Sequence, residues 1–339
     1  MKVLVVSSQL IETPPIDYGG LEYVCALHCK YLLERGYEVG LVCLKGSHIS
    51  WHLRFGELMP KFYESYSRDE KKVFEKFLRQ NNLKSYDFIL DHSWYGYFSE
   101  YAVKHDIPHI KFCHGLIPPR VRELYEKGVN LFTVSKFHSE FLSDYLMAKE
   151  DLPYLYNCID VSEYESSSEK EDYVVHLGRI EFGKGVSSFI RFCEKYKVKG
   201  YVIGEDRFVK DTKYVEDIIR KSTNFKYVKY VGRVPHDIKV ELLKKAKVLL
   251  LCYRENYQEV FGIALVEGLV CGTPVVARDN GAVREIINSP KIGSVFKSNN
   301  EIYELINKKY DYNTCRERGL EFDYKKICRE LEEFILEYC

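Results

Sequence analysis

Short apolar runs alternate with helix-like stretches along this chain, twice over, and that rhythm restricts the folds open to it. In the first half the runs fall at 2–7, 38–43, 88–91, 109–113 and 131–135; in the second, at 173–177, 200–203, 227–231, 248–252 and 274–277. Each is too short for a helix and is bounded by polar residues or glycine, the mark of a strand buried on both faces. Strands of that kind joined through helices form parallel sheets covered on both sides. Helical stretches are predicted at 20–35, with Gly36 as the stop, at 137–145 and at 324–338. The segment 48–82 breaks the rhythm with aromatic and charged residues, and reads as an insertion near the mouth of a ligand site.

At 339 residues the chain is long for a single core. The polar stretch Ser166-Ser167-Ser168-Glu169-Lys170-Glu171-Asp172 separates the halves. The expected architecture is α/β, with two Rossmann-like domains whose parallel sheets face an interdomain cleft. Residues 1–162 are expected to form the N-terminal domain and residues 163–321 the C-terminal one, with a helix within 322–339 packing back on the first. Fifty basic and fifty acidic residues cancel, which disfavours nucleic acid as a partner. The first residues read as a strand and not as a secretory signal, and no apolar run approaches the length of a membrane span. Eleven cysteines without a C-x-x-C pair read as reduced core residues, neither a disulfide framework nor a zinc site. A cytoplasmic location follows, with peripheral contact at the inner membrane face left open.

Residues able to hold a phosphorylated sugar collect after the strands. Glu259-Val260-Phe261-Gly262 leads into an apolar helix that carries Glu267 and ends at Cys271-Gly272-Thr273-Pro274. Helix N-termini attract anions, and carboxylates accept from sugar hydroxyls. Gly178-Arg179 follows the strand at 173–177, and Lys184-Gly185 opens the next helix, two cations suited to a diphosphate. Gly232-Arg233-Val234 turns after the strand at 227–231, His114-Gly115 ends the strand at 109–113, and Asp17-Tyr18-Gly19-Gly20-Leu21-Glu22 opens the first helix. That last element lacks the G-x-G-x-x-G spacing, so NAD is disfavoured. Taken singly, each feature has an ordinary structural explanation.

Together, in this order and separation, they resemble the retaining glycosyltransferases of family 4, which have the GT-B fold. The resemblance runs from Tyr18-Gly19-Gly20-x-Glu22 to Gly281-Ala282-Val283-Arg284-Glu285. It implies that 1–162 is the acceptor-side domain and 163–321 the nucleotide-sugar-binding one, and it implies roles residue by residue. Arg179 and Lys184 would hold the donor diphosphate beside Gly178, and Glu267 would accept from the ribose. Glu259 would hold hydroxyls of the transferred sugar, with backbone N–H groups of Val260, Phe261 and Gly262. The backbone at Val234, beside Arg233, would meet the base. Gly19 and Gly20 would lie under the phosphates, and His114 near the reacting centre. Arg179, Lys184, Glu259 and His114 form the implied catalytic set.

The implied activity moves a hexose from a nucleoside diphosphate sugar, UDP-linked more readily than GDP-mannose, to a hydroxyl on a sugar, a lipid-linked glycan or a small molecule. No Asp-x-Asp pair occurs, in keeping with the family's metal-independent handling of diphosphate, and no cofactor is expected. A phosphorylase or epimerase on the same scaffold, or a non-catalytic nucleotide-sugar binder, are the alternatives. Two departures stand out. Gly183 replaces the usual acidic residue before the lysine, which predicts a looser loop. The usual Pro-Asn-Gly-Ile-Asp before the second domain reads Tyr156-Asn157-Cys158-Ile159-Asp160.

Overall fold

A computed structural model describes residues 1–16, 18–204, 206 and 211–339; Asp17 of the first glycine motif lies outside the described residues. The chain divides into two compact units, Met1–Ile159 with Tyr324–Cys339, and Asp160–Asp323. The first changeover therefore comes three residues before the expected 163. At this changeover the Asp160 carboxylate accepts from the Ser162 backbone N–H at 3.1 Å and caps the turn Val161–Glu163.

In the first unit, strands β1 (Lys2–Val6), β2 (Glu38–Leu44), β3 (Lys61–Ser65), β4 (Phe88–Asp91), β5 (His109–Phe112) and β6 (Leu131–Phe132) form one sheet, ordered β3-β2-β1-β4-β5-β6. All its pairings are parallel. Val3, Leu4, Val5 and Val6 are buried, as expected of a strand covered on both faces. The second unit holds β7 (Glu171–Leu177), β8 (Gly200–Ile203), β9 (Val228–Gly232), β10 (Ala246–Leu251), β11 (Val275–Arg278) and β12 (Gly293–Phe296), ordered β12-β11-β10-β7-β8-β9. Both orders are the doubly wound arrangement, in which the chain reverses direction beside its first strand. Carboxyl ends of β1 and β4, and of β7 and β10, therefore open the crevices where such sheets bind ligands.

The segment 48–82 is not an insertion. It supplies the helix Ser47–Phe55, edge strand β3 and the helix Glu70–Gln80, and Trp51 and Phe77 are core residues of the first unit. The reading failed because β3, Lys-Phe-Tyr-Glu-Ser, is an edge strand whose two aromatics are flanked by polar residues, so it lacks a continuous apolar run.

The first helix spans Gly20–Glu34 and ends where Gly36 takes φ 82°, a conformation glycine adopts without strain. The last helix, Tyr324–Tyr338, lies against it. Glu332 accepts from the Tyr31 and Tyr37 hydroxyls, each at 2.9 Å, and from Arg35 at 3.1 Å. Ile327, Leu331 and Ile335 are buried, and Phe334 meets Phe132 of β6 edge to face at 5.0 Å. Among the described residues no helix is long and apolar enough to cross a membrane.

Candidate functional site

The second unit gathers its charged candidates at the carboxyl ends of β7 and β10. After β7 the chain passes through Gly178, at φ 156°, to Arg179, which pairs with Glu181 at 3.2 Å. A single turn, Phe182–Lys184, then delivers Lys184 to the start of the helix Val186–Tyr196. Its Nζ lies 2.5 Å from Glu259 Oε2. Glu259 arrives from the opposite side, on the loop after β10, and is 6% exposed. Lys184 also lies over the rings of Tyr253 and Tyr257, at 5.5 and 4.9 Å to the centroids. Burial and the nearby Glu259 carboxylate raise the pKa of both tyrosines.

Two glycines make this meeting possible. Gly185 has φ 75°, and a Cβ there would stand 1.6 Å from the Cys252 carbonyl oxygen. Gly281, at φ 61°, leaves no room either, with the Glu259 carbonyl oxygen 2.2 Å from a Cβ. Ala282 N–H donates to that carbonyl at 2.8 Å, so the Gly281 loop holds the Glu259 backbone in place. Asn280 Nδ2 reaches the carbonyls of Arg254 and Tyr257, at 2.6 and 2.5 Å.

Gly183 does not loosen the loop, contrary to expectation. The Tyr257 ring occupies the space of its missing side chain, 2.5 Å from a built Cβ, and its carbonyl accepts from Arg254 N–H at 2.9 Å. An acidic side chain would collide with that ring.

The helix Ile263–Val270 begins after Gly262, which has φ 87°. Phe261 is buried against Phe322, with ring centroids 5.6 Å apart, and Val260 leads up to it from Glu259. Glu267, inside the helix, accepts on Oε1 from the Tyr164 hydroxyl at 2.8 Å and from Lys239 Nζ at 2.5 Å. Glu259 and Glu267 thus answer to different cations. Arg233 pairs with Asp206 at 3.4 Å just beyond Gly232, whose φ is 67°, and half-buried Val234 follows. Tyr164, Lys239, Tyr253 and Tyr257 were not among the expected site residues.

In the first unit, Gly19 precedes the first helix at φ 154°, and a Cβ there would stand 2.8 Å from Glu22 Oε2. Gly20 begins the helix, and buried Glu22 accepts from the Ser8 hydroxyl. Burial raises the Glu22 pKa, partly offset by that hydrogen bond. His114, half-buried after β5, belongs to a line of three imidazoles. His28 Nδ1 is 3.3 Å from His92 Nε2, and His92 Nδ1 is 2.9 Å from His114 Nε2. Burial holds the pKa of His92 and His114 well below the ordinary histidine value; neighbouring His28 acts next on His92, and Lys111 next on His114. His92 and His28 could not be read from sequence, since neither adjoins His114 along the chain.

A model of glycosyl transferases group 1 matches residues 161–318, and one of glycosyltransferase family 4 matches residues 18–163. The chain belongs to the family 4 glycosyltransferases. This glycosyltransferase is 25% identical over 327 residues to an uncharacterized glycosyltransferase of Methanocaldococcus jannaschii, with 81% of this chain and 80% of the relative covered. Its GT-B fold is shared with AviGT4, a glycosyltransferase involved in avilamycin A biosynthesis (TM-score 0.70, 21% identity, covering 100% of this chain and 98% of that one). The Anabaena protein HepE in complex with UDP and glucose is also similar (TM-score 0.75, 17% identity, covering 99% and 100%).

Proposed function

We propose that this glycosyltransferase moves a hexose from a UDP-sugar to a hydroxyl acceptor in glycan, glycolipid or small glycoside synthesis. On this reading the anomeric configuration is retained, and no metal or cofactor takes part in holding the diphosphate. The observation that carries it is the meeting of Lys184 and Glu259 at the crevice between β7 and β10, beside the start of the helix Ile263–Val270. A cation, a sugar-binding carboxylate and a helix N-terminus at one switch point suit a ligand that is both diphosphate and sugar. Two proteins of the same fold, Anabaena HepE and an α-glucosyltransferase, have structures in complex with UDP.

Charge development sets the roles. As the bond from the anomeric carbon to the diphosphate breaks, the carbon becomes positive and the leaving oxygen negative. Arg179 and Lys184 meet the leaving diphosphate, with Gly178 allowing close approach. Such preorganised electrostatics is usually the largest catalytic term, and one lost donor costs roughly 3 kcal/mol. Glu259 and the backbone at Val260, Phe261 and Gly262 hold sugar hydroxyls, Glu267 takes the ribose, and the turn at Arg233 and Val234 takes the base. In the first unit, His114 is assigned to the sugar, and Gly19 and Gly20 to the phosphates. The acceptor oxygen attacks from the face the diphosphate leaves, and its proton passes to the departing phosphate oxygen.

The test is release of free nucleoside diphosphate from UDP-sugars and GDP-mannose in the presence of chelator, with and without a panel of hydroxyl acceptors. Acceptor-dependent UDP release supports the proposal. Release that requires inorganic phosphate, isomerisation without release, or binding without turnover would each replace it. Glu267→Ala should abolish most transfer.

A further inference from the structure

The transfer chemistry makes no use of Cys158, which stands where the related pattern carries glycine. It is fully buried in the first unit, as are Cys328 from the last helix and His28 from the first. The ligating atoms of these three side chains lie within 4.8 Å of one another. His28 Nε2 is buried without a hydrogen-bond partner, a costly state for a polar atom. Its other nitrogen, Nδ1, is engaged with His92. An imidazole with Nδ1 held by an outer partner and Nε2 unpartnered, grouped with two cysteine sulfurs, has the makings of a metal-ligating histidine.

We propose that His28, Cys158 and Cys328 supply three ligands to a thiophilic divalent ion, zinc, with a water in the fourth position. Charge selects the ion. Two thiolates and a neutral imidazole around a divalent cation sum to zero, which an apolar interior tolerates; a monovalent copper ion would leave a buried negative charge. Bond lengths of about 2.3 Å to sulfur and about 2.0 Å to nitrogen place ligand atoms roughly 3.5–4 Å apart. The present spacing therefore needs only a small contraction. Binding releases the two thiol protons to solvent.

The site ties together three distant parts of the chain. Cys158 lies just before the chain leaves the first unit, and Cys328 one turn after it returns. Tyr324 N–H donates to the Ile159 carbonyl at 2.9 Å, so the two passages run side by side. An ion on Nε2 also confines the His28 proton to Nδ1. His92 then accepts on Nε2 and donates from Nδ1 to His114 Nε2, which leaves the His114 proton on Nδ1. The proposal does not depend on the donor or acceptor reading above.

The test uses the full chain, purified under reducing conditions, stripped with chelator, shown to have free thiols, and titrated with zinc and with cobalt. Metal content by mass spectrometry should reach one zinc per chain, thermal unfolding should shift upward with zinc, and cobalt should give a sulfur-to-metal charge-transfer band. Cys158→Gly, which restores the family residue, and Cys328→Ala should weaken binding by more than about 100-fold, beyond the loss typical of an outer-shell partner. Absence of stoichiometric zinc in the reduced wild-type chain would overturn the proposal, whether or not the variants fold. So would undiminished binding in both variants, or a Cys158–Cys328 disulfide in protein that takes no metal after reduction.

Discussion

Lys184 and Glu259 have side chains only 15% and 8% exposed, so each supports the other as well as any ligand. Removing one member of a shielded pair strands the other charge, which is commonly more damaging than losing both. Lys184→Ala should therefore lower both activity and stability. We expect kcat/KM for transfer to fall roughly 100- to 1000-fold, with a measurable drop in Tm. Lys184→Ala with Glu259→Gln should recover much of the Tm and none of the activity, as calorimetry and a UDP-release assay would show. Full activity in Lys184→Ala would remove the assignment. The residue scale is also where sequence reading stopped short. Arg179 and Lys184 could be proposed because each adjoins a glycine in the loop after a strand-like run, and Glu259 and Glu267 because they form a carboxylate pair around the start of an apolar helix. Lys239 and Tyr164 could not, because their only link to Glu267 is through space.

Strand elements were most readable where they held an unbroken apolar run. Val3–Val6 of β1, Phe88–Leu90 of β4 and Val248–Leu251 of β10 are unbroken apolar runs at or beside the sheet centre. The two strands that escaped, β3 and β12, both lie at sheet edges. β12, Gly-Ser-Val-Phe, is half-buried at its two middle residues, so its residues carry less of the apolar signal. The turn Phe182–Lys184 sets the place of Lys184 through its backbone. Gly185→Ala would place a methyl group against the Cys252 carbonyl at a positive φ. Something must shift, at a cost of about 2 kcal/mol or more, and Lys184 sits on the part that shifts. The variant should lose stability in urea titration and should also lose transfer activity, although it alters no polar group.

Across the whole molecule, buried histidines recur. Burial pushes His176 down to about 3 and His138 to about 4, and it lowers His92, His109 and His114 as well. A histidine that is harder to protonate in the fold than in the open chain stabilises the fold only while the open chain is also neutral. Stability should therefore hold above about pH 6.5, the ordinary histidine value. It should fall as acid protonates the unfolded chain, the full loss for His138 being reached near pH 4 and amounting to on the order of 3 kcal/mol. Urea midpoints at pH 7.5, 6 and 5 would show the decline; a flat profile would mean these rings are accessible to protons without unfolding. Deleting residues 324–339 should cost the first unit more than the second. The deletion uncovers Phe132 and removes the partner of Tyr31, Arg35 and Tyr37. Amide hydrogen exchange should show protection lost around the helix Gly20–Glu34 and retained through β7–β12.

The first unit is discontinuous, interrupted after Ile159 and resumed at Tyr324. Translation emits the whole of Asp160–Asp323 before the helix that completes the first unit exists. Domains ordinarily mature in the order they leave the ribosome, but here the order is inverted. The second unit can finish while the opening half of the polypeptide still shows an uncovered face to chaperones.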